Sequence, residues 1–261
     1  MTGAITFDSN NLQTYAALVG IVTNAIEHTN LPDKDTTLYP LANTNASVIP
    51  YVGYSSKVIS IAGAIVGSSS SDLDSRIDTF KGYFNGKNKN LDIQYGASTR
   101  RYIATANKIA VTRRQKAYFA TFTVDFICTQ PFGRNTSATT ALNASGRTAS
   151  SYTDNHTFLG SAPYQLPVIT ITYAAVSGGA SFVSFGNNAN GQGITITDQT
   201  WVATDVLEID CVNKTVKKNG VEIDFLGAFP EFEPGSQNFT YSDGFTTRTL
   251  TENVIYYPMW Q

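Results

Sequence analysis

The sequence predicts a mainly β fold, and three observations support that class. Charged residues form 15% of the 261 residues, against a usual share of about 25%. Thr, Ser, Asn and Gly occur in their place, a composition that favours strands and turns over solvated helices. Short segments that alternate between apolar and polar residues recur between turn residues, whereas only one segment shows strong helical spacing.

The first half of the chain contains several of these alternating segments. Residues 57–66, KVISIAGAIV, predict a strand, and residues 91–95 and 102–111 predict two more. Residues 117–129 form a long segment whose alternate side chains are apolar, which predicts a strand with one buried face. That face consists of Tyr118, Phe122, Val124, Phe126 and Cys128.

A single helix is predicted over residues 72–85. Ser71 is the expected cap, and Asp74 three residues later completes a capping-box pattern. Gly86 is placed to end the helix. Four apolar side chains recur at helical spacing and therefore share one face: Leu73, Ile77, Phe80 and Phe84.

Residues 136–157 separate two β-rich halves. Ser, Thr and Asn dominate this stretch, and its only large hydrophobic side chains are Leu142 and Tyr152. That composition predicts a linker or long loop. We therefore expect one domain over residues 1–135 and a second over residues 158–261.

The pattern of the second half predicts short strands joined by turns. Asn219-Gly220 predicts a tight turn between two of them. Strands at this spacing, with Gly and Asn at the turns, predict a β-sandwich or jelly roll. The predicted strands cover residues 167–173, 181–185, 193–197, 206–212, 215–218, 221–225, 239–242, 246–251 and 254–257.

Charge and cysteine content limit the environment and the partners. The net charge of −2 gives no general attraction to nucleic acid or to a membrane. Cys128 and Cys211 each lie in an alternating apolar segment, so we expect reduced core residues. The N-terminus lacks the features of a signal peptide, and residues 16–26 are too short and interrupted to span a membrane. We expect synthesis in a cytoplasm and no membrane partner.

The sequence contains no recognisable catalytic or metal-binding pattern. His28 and His156 stand in polar surroundings without metal-ligand spacing, so we interpret both as exposed loop residues. Glu231 and Glu233 flank Phe232 between two prolines, where surface charge explains them better than acid–base catalysis. The sequence therefore predicts no enzyme activity, no cofactor and no metal.

The order of the elements in the first half resembles the distal tail protein family of phages with long, non-contractile tails. Residues 7–15, FDSNNLQTY, are similar to the family's first strand and turn. The family's strand, helix and hairpin correspond to residues 58–66, 72–85 and 91–111. Residues 124–132, VDFICTQPF, are similar to the family strand that ends in an aromatic residue, a small polar residue and Pro-Phe.

The second half carries further motifs of this family. Residues 207–220 are similar to its hairpin pair, and residues 229–241, FPEFEPGSQNFTY, resemble its proline-glycine segment. Residues 255–260, IYYPMW, are similar to its aromatic close, although Pro258-Met259 stands where a basic residue is common. The resemblance covers nearly the whole chain and depends on the order of the motifs.

The resemblance implies both a fold and a role. The fold is an N-terminal split β-barrel, related to tail-tube subunits and bearing one helix, followed by a galectin-like β-sandwich. The role is that of a structural subunit of the phage tail tip or baseplate, located in the virion and made in the host cytoplasm. It forms a homo-hexameric ring that joins the tail tube protein to a tail hub or tail-associated protein and to receptor-binding proteins. DNA only passes through the lumen.

An uneven charge distribution supplies the candidate interface. Six basic residues and no acidic residue lie between Arg100 and Lys116, whereas six acidic residues and one basic residue follow Val221. Two solvated faces explain this as well as complementary contacts between ring subunits do. A role for the arginines near DNA in the lumen is a third, weaker interpretation. The candidate interface residues are Arg100, Arg101, Arg113, Arg114, Lys116, Glu231 and Glu233.

Two alternative functions stay open. The first is a glycan-binding module for host attachment that uses the C-terminal sandwich, and the second is a tail-tube or tube-terminator subunit. A glycan-binding surface would consist of exposed aromatic residues of the second half. Burial in the sandwich core, or contact with a neighbour, is the favoured interpretation of the same residues: Trp201, Tyr241, Tyr256, Tyr257 and Trp260.

Overall fold

The computed structural model describes residues 4–12, 18–23, 31–36, 39–40, 47–48, 52–113, 118–178, 182–197 and 199–261. In these ranges the chain forms β-strands and one α-helix, so the predicted mainly β fold is confirmed. The chain divides into two compact units, Met1–Thr136 with Gln261, and Ser137–Trp260.

One antiparallel sheet dominates the N-terminal unit. The strands of this unit are β1 (Ile5–Phe7), β2 (Asn10–Asn11), β3 (Leu18–Thr23), β4 (Lys34–Thr36), β5 (Tyr39–Pro40), β6 (Ser47–Val48), β7 (Val52–Tyr54), β8 (Lys57–Val66), β9 (Lys89–Tyr95), β10 (Ser98–Arg113), β11 (Phe119–Cys128) and β12 (Gly133–Asn135). The large sheet has the order β2-β1-β9-β10-β11-β8-β3, with β12 beside β10. Two small pairs, β4 with β7 and β5 with β6, accompany it.

The core of the N-terminal unit includes the contact between helix α1 (Ser70–Gly82) and this sheet. The ring of Phe80 on α1 lies 4.5 Å from that of Phe122 on β11, and Phe7 on β1 lies 4.9 Å from Phe126. Clustered aromatic rings bury a large apolar area and prefer such tilted contacts. The buried face of the helix consists of Leu73, Ile77 and Phe80, three of the four side chains that the helical spacing identified.

The helix begins and ends earlier than the sequence predicted. Ser69, not Ser71, is the cap, because its side-chain oxygen accepts the backbone N–H of Asp72 at 3.1 Å. Asp72 in turn accepts the backbone N–H of Ser68 at 2.7 Å, and this bond, followed by that of Arg76, lowers the pKa of Asp72 to about 2. The predicted range 72–85 is therefore corrected to Ser70–Gly82. The helix stops at Gly82, a poor helix former, before it reaches Gly86.

Two antiparallel sheets form the C-terminal unit. Its strands are β13 (Thr139–Arg147), β14 (Ser151–Phe158), β15 (Pro167–Ser177), β16 (Val183–Asn187), β17 (Gly193–Ile196), β18 (Val206–Asp210), β19 (Thr215–Lys218), β20 (Val221–Glu222), β21 (Leu226–Gly227), β22 (Gly235–Asp243), β23 (Thr247–Tyr256) and β24 (Met259–Trp260). One sheet has the order β13-β23-β15-β18-β19-β20, and the other has the order β14-β22-β16-β17-β21.

The two sheets of the C-terminal unit face each other. The hydroxyl oxygens of Tyr173 on β15 and Tyr241 on β22 lie 3.3 Å apart, and both side chains are fully buried. The rings of Phe158 on β14 and Tyr256 on β23 lie 4.8 Å apart. Alternate side chains of both sheets thus fill a shared core, and the predicted β-sandwich is confirmed.

The tight turn predicted at Asn219-Gly220 joins β19 to β20. Both residues have positive φ angles, 51° and 80°. Glycine and asparagine tolerate this left-handed conformation, which matches the twist of a two-residue hairpin.

The predicted linker over residues 136–157 is wrong, because β13 and β14 occupy most of it. β13 pairs with β23 in one sheet, and β14 pairs with β22 in the other. The outward face of β14 is bonded through polar groups: Thr153 and Thr240 lie 3.2 Å apart, and Asn155 donates to Asn238 at 2.8 Å. Polar cross-strand pairs stabilise a sheet as apolar ones do. A strand of this kind lacks the apolar alternation that marked the other strands.

A buried ionic cluster links β13 and β14, which lie in different sheets, to each other and to β23. Arg147 at the end of β13 donates two hydrogen bonds to Asp154 on β14, both 2.7 Å long, and a third to Glu252 on β23 at 2.9 Å. In return Arg248 on β23 donates to the carbonyl of Thr148 at 3.2 Å. Bidentate arginine–carboxylate pairs are strong and fix geometry, so they hold this edge of the sandwich.

Candidate assembly surfaces

The basic residues of β10 that the sequence singled out have partners in their own unit. Arg101 forms two hydrogen bonds of 2.7 Å with the carboxylate of Asp92 on β9. Arg100 donates to the side-chain oxygen of Asn135 at 2.6 Å, and partial burial lowers the pKa of Arg100. These two guanidinium groups therefore hold neighbouring strands together.

Arg113 at the end of β10 bonds the helix. It donates to Asp74 at 2.6 Å and to the hydroxyl of Ser70. The pair with Asp74 is largely exposed, so it contributes little to stability. Arg114 and Lys116 lie outside the described residues.

The two acidic candidates lie near one edge of the C-terminal sandwich. The carboxylate of Glu231 lies 3.4 Å from the amine of Lys214, and its backbone carbonyl accepts hydrogen bonds from Asn187 and Asn190. Glu233 is exposed. Three of the seven candidate interface residues thus have ionic partners in their own unit: Arg101, Arg113 and Glu231. The interface assignment of the seven residues stays a prediction.

The interpretation of His156 as an exposed loop residue is wrong. His156 lies on β14, half-buried, with its ring 5.0 Å from that of Phe158 and 5.7 Å from that of Tyr256. Burial lowers the pKa of His156, because the charged form loses its hydration. His28 lies outside the described residues, and no cluster of three metal-ligating side chains occurs among the residues that are described.

The remaining chemical candidates belong to the interior. Cys128 and Cys211 are buried free thiols, as predicted, and burial raises the pKa of Cys128 to about 12. Trp201, Tyr241 and Tyr256 are buried as well, which fits core residues rather than a sugar platform. Within the described part of the chain, no helix is long and apolar enough to cross a membrane.

The structure adds a surface that sequence patterns did not indicate, the outer edge of β10. β11 pairs with β10 from Ala104 to Arg113, whereas β9 covers the opposite edge only as far as Ala104. Beyond that point, no strand among the described residues pairs with this opposite edge. The side chains of residues 107–110 are exposed there. We call residues 106–113 the free edge of β10.

A second sheet edge lies on the other side of the same strands. Strands β10, β11, β8 and β3 follow one another, and β3 pairs with β8 alone in the described residues. The four strands therefore form a ribbon with the free edge of β10 at one side and β3 at the other. Unpaired strand edges are templates for pairing with another chain.

Comparison with known proteins agrees with this architecture. Residues 160–260 match the family model for the siphovirus-type tail component, C-terminal domain. The crystal structure of the Dit protein of phage SPP1 is similar over 100% of both chains, with a TM-score of 0.67 and 12% sequence identity. Chains of two activated phage P2 baseplate structures, with Ca and with Sr, have TM-scores of 0.49 and 0.47 at 10% identity and cover 98% of both chains. No curated protein sequence matches.

The family match defines the class of the C-terminal sandwich, which is a domain of siphovirus-type phage tail components. The fold of the chain is that of a phage tail protein over its whole length. Within that class, residues 160–260 match the distal tail component family, and the chain as a whole shares the fold of the phage SPP1 Dit protein. The family resemblance that the sequence indicated is confirmed. The place of such a component is the virion.

Proposed function

We propose that the chain forms a closed ring of six copies at the tip of the tail, where it joins the tail tube to the hub and to host-attachment proteins. The observation that carries the proposal is the pair of sheet edges on one four-stranded ribbon. Neighbouring copies arranged head to tail can pair the free edge of β10 with β3, and a ring results if the rotation closes. The N-terminal unit then surrounds a lumen through which DNA passes.

Exposure of the free edge supports this role. Residues 106–113 have the sequence ANKIAVTR, in which Ile109 is 38% exposed. A strand edge of this length, carrying apolar side chains, promotes aggregation in a monomer unless another chain covers it. Pairing with a neighbour satisfies its backbone groups and buries its apolar side chains.

Two neighbouring proline variants test the pairing. Successive residues of a strand direct their backbone N–H groups to opposite edges. Of the variants Ile109→Pro and Ala110→Pro, one therefore loses a backbone N–H that bonds β11, and the other loses a backbone N–H at the free edge. The variant that loses a β11 bond should unfold at lower temperature. The variant that loses an edge donor should keep the thermal midpoint of the dilute, unassembled wild type but remain a monomer by native mass spectrometry at concentrations where the wild type assembles.

Ala203→Pro is a matched control, because exposed Ala203 is the second residue of the Val202–Asp205 turn, whose third residue, Thr204, has a φ of 76°. Proline is favoured at the second position of such a turn. We expect the control to form the same oligomer as the wild type. A proline variant at the free edge that keeps both its thermal midpoint and its oligomer would show that this edge does not join subunits.

A further inference from the structure

The C-terminal sandwich presents a second exposed surface, residues 221–229, which we call the edge strip. It has the sequence VEIDFLGAF and runs from β20, the last strand of one sheet, to β21, the last strand of the other. Val221 and Leu226 are 68% and 63% exposed, the two highest values for large apolar side chains in the described chain. Large apolar side chains exposed within one short segment indicate an interaction surface.

Hydrogen bonds hold the backbone of the edge strip in place. The N–H of Ile223 donates to the carbonyl of Val216 at 3.0 Å, and that of Ala228 donates to the carbonyl of Gly193 at 2.9 Å. Gly227 has a φ of 103°, and a β-carbon there would lie 2.1 Å from the Gly193 carbonyl oxygen. The strip therefore needs glycine at this position to approach β17 so closely.

Aromatic packing stabilises the same segment from within. The rings of Phe225 and Phe229 make an edge-to-face contact at 5.1 Å, and the amine of Lys214 lies 5.4 Å from the centre of the Phe229 ring. Val221 and Leu226 are thus presented to solvent on an ordered backbone. A preorganised surface loses less conformational entropy when a partner binds.

The charge of the edge strip is entirely acidic. Glu222 and Asp224 are exposed and alternate with Val221, Ile223 and Phe225. Neither carboxylate forms an ion pair with a described residue, whereas Glu231 nearby is paired with Lys214. A surface with unpaired carboxylates between apolar side chains is complementary to a segment that carries basic and apolar side chains.

We propose that the edge strip docks a different protein of the tail, through a segment in which lysine or arginine residues stand beside apolar residues. This inference depends on the proposed function, because it assumes that the chain is part of the tail tip. A second copy of the chain suits the strip less well. The strip would need basic side chains from that second copy. Two of the β10 arginines that could supply them, Arg101 and Arg113, already pair with Asp92 and Asp74 of their own unit.

Photo-crosslinking in assembled virions tests the docking. Benzoylphenylalanine replaces Leu226, or Val221 in a second variant, and the crosslinked peptides are identified by mass spectrometry. We expect crosslinks to one other virion protein, at a segment with lysine or arginine within a few residues of the attachment point. Crosslinks only to copies of this chain, crosslinks to a segment without basic residues, or no crosslinks from either position would overturn the inference.

Charge variants test whether the acidic side chains of the edge strip contribute to docking. Glu222→Lys together with Asp224→Lys should reduce the crosslink yield from position 226 by about tenfold, because like charges then face each other. Glu208→Lys, an exposed carboxylate on β18, is the matched control and should leave the yield unchanged. An unchanged yield in the double variant would contradict a basic partner.

The same virions separate failure of this inference from failure of the proposed function. If the unmodified chain is absent from purified virions, the proposed function is wrong and the docking inference is wrong with it. If the chain is present and forms its ring but neither position 226 nor position 221 gives a crosslink to another protein, only the docking inference is overturned.

Discussion

The buried side chain of Glu252 makes the stability of the C-terminal sandwich depend on pH. Its side chain is completely buried, and only Oε2 accepts a hydrogen bond from a described residue, the one that Arg147 donates at 2.9 Å. Burial raises the pKa of Glu252 to about 7; the Arg147 guanidinium opposes the rise and the Asp154 carboxylate adds to it. The folded protein therefore holds this proton at a pH where an unfolded chain has lost it.

We expect the contribution of Glu252 to the free energy of unfolding to fall as pH rises from about 4.5 to about 7 and to level off above that range. The sign follows because a carboxyl with a raised folded-state pKa binds its proton more tightly in the folded state. The fall is on the order of 3 kcal/mol. Glu252→Gln, which carries no ionisable proton, should flatten this dependence in urea unfolding at pH 5 and pH 8.

Glu208→Gln is the control for this prediction, because Glu208 is largely exposed on β18. Its pH dependence should match that of the wild type. An equally steep dependence in the Glu252→Gln protein would assign the effect to other groups. His156, whose pKa is lowered by burial, is one such group.

At the scale of elements, two serines at the start of α1, Ser69 and Ser71, have different roles. Ser69 caps the helix, whereas Ser71, the cap that the sequence favoured, lies in its first turn. Ser69→Ala should destabilise the protein by about 1 kcal/mol, because one backbone N–H at the helix start loses its acceptor. Ser71→Ala should be neutral or slightly stabilising, because alanine is the better helix former.

Chemical unfolding of both serine variants provides the measurement. Equal losses of stability at the two positions would contradict the observed cap. The sequence could not distinguish the candidates because Ser68, Ser69, Ser70 and Ser71 are consecutive, and each can precede a helix with a similar apolar stripe. The choice depends on where Leu73 and Phe80 must lie to reach the sheet.

Strong apolar alternation made most elements predictable. Residues 57–66 form β8 as expected, and the Asn219-Gly220 turn has the predicted backbone. Strands β13 and β14 were not predicted, because hydroxyl and amide groups cover the outer face of β14 and a charged residue, Arg147, occupies a buried position on β13. Strand pairing, rather than local composition, decides that segment.

The ionic partners of the candidate interface residues were less predictable than the fold for a related reason. Arg101 and Asp92 are nine residues apart in the sequence and become cross-strand partners only in the register of β9 and β10. A count of charges along the chain cannot reveal such a pair. The sequence could not predict the free edge of β10 either, because that edge exists only beyond the point where its partner strand β9 ends.

At the scale of the whole molecule, each unit has a surface suited to a different contact. The N-terminal unit carries the ribbon with two sheet edges, which suits repeated contacts between identical copies. The C-terminal unit carries the edge strip, whose charge and apolar side chains suit a different protein. On this account one unit builds the ring and the other recruits a partner to it.

Electron cryomicroscopy of the tail tip of intact virions tests the central claim most directly. The account predicts a single closed ring of six copies where the tail tube ends, with the free edge of β10 in each copy paired to its neighbour. Copies repeated along the tube, or single unpaired copies at the tip, would contradict it.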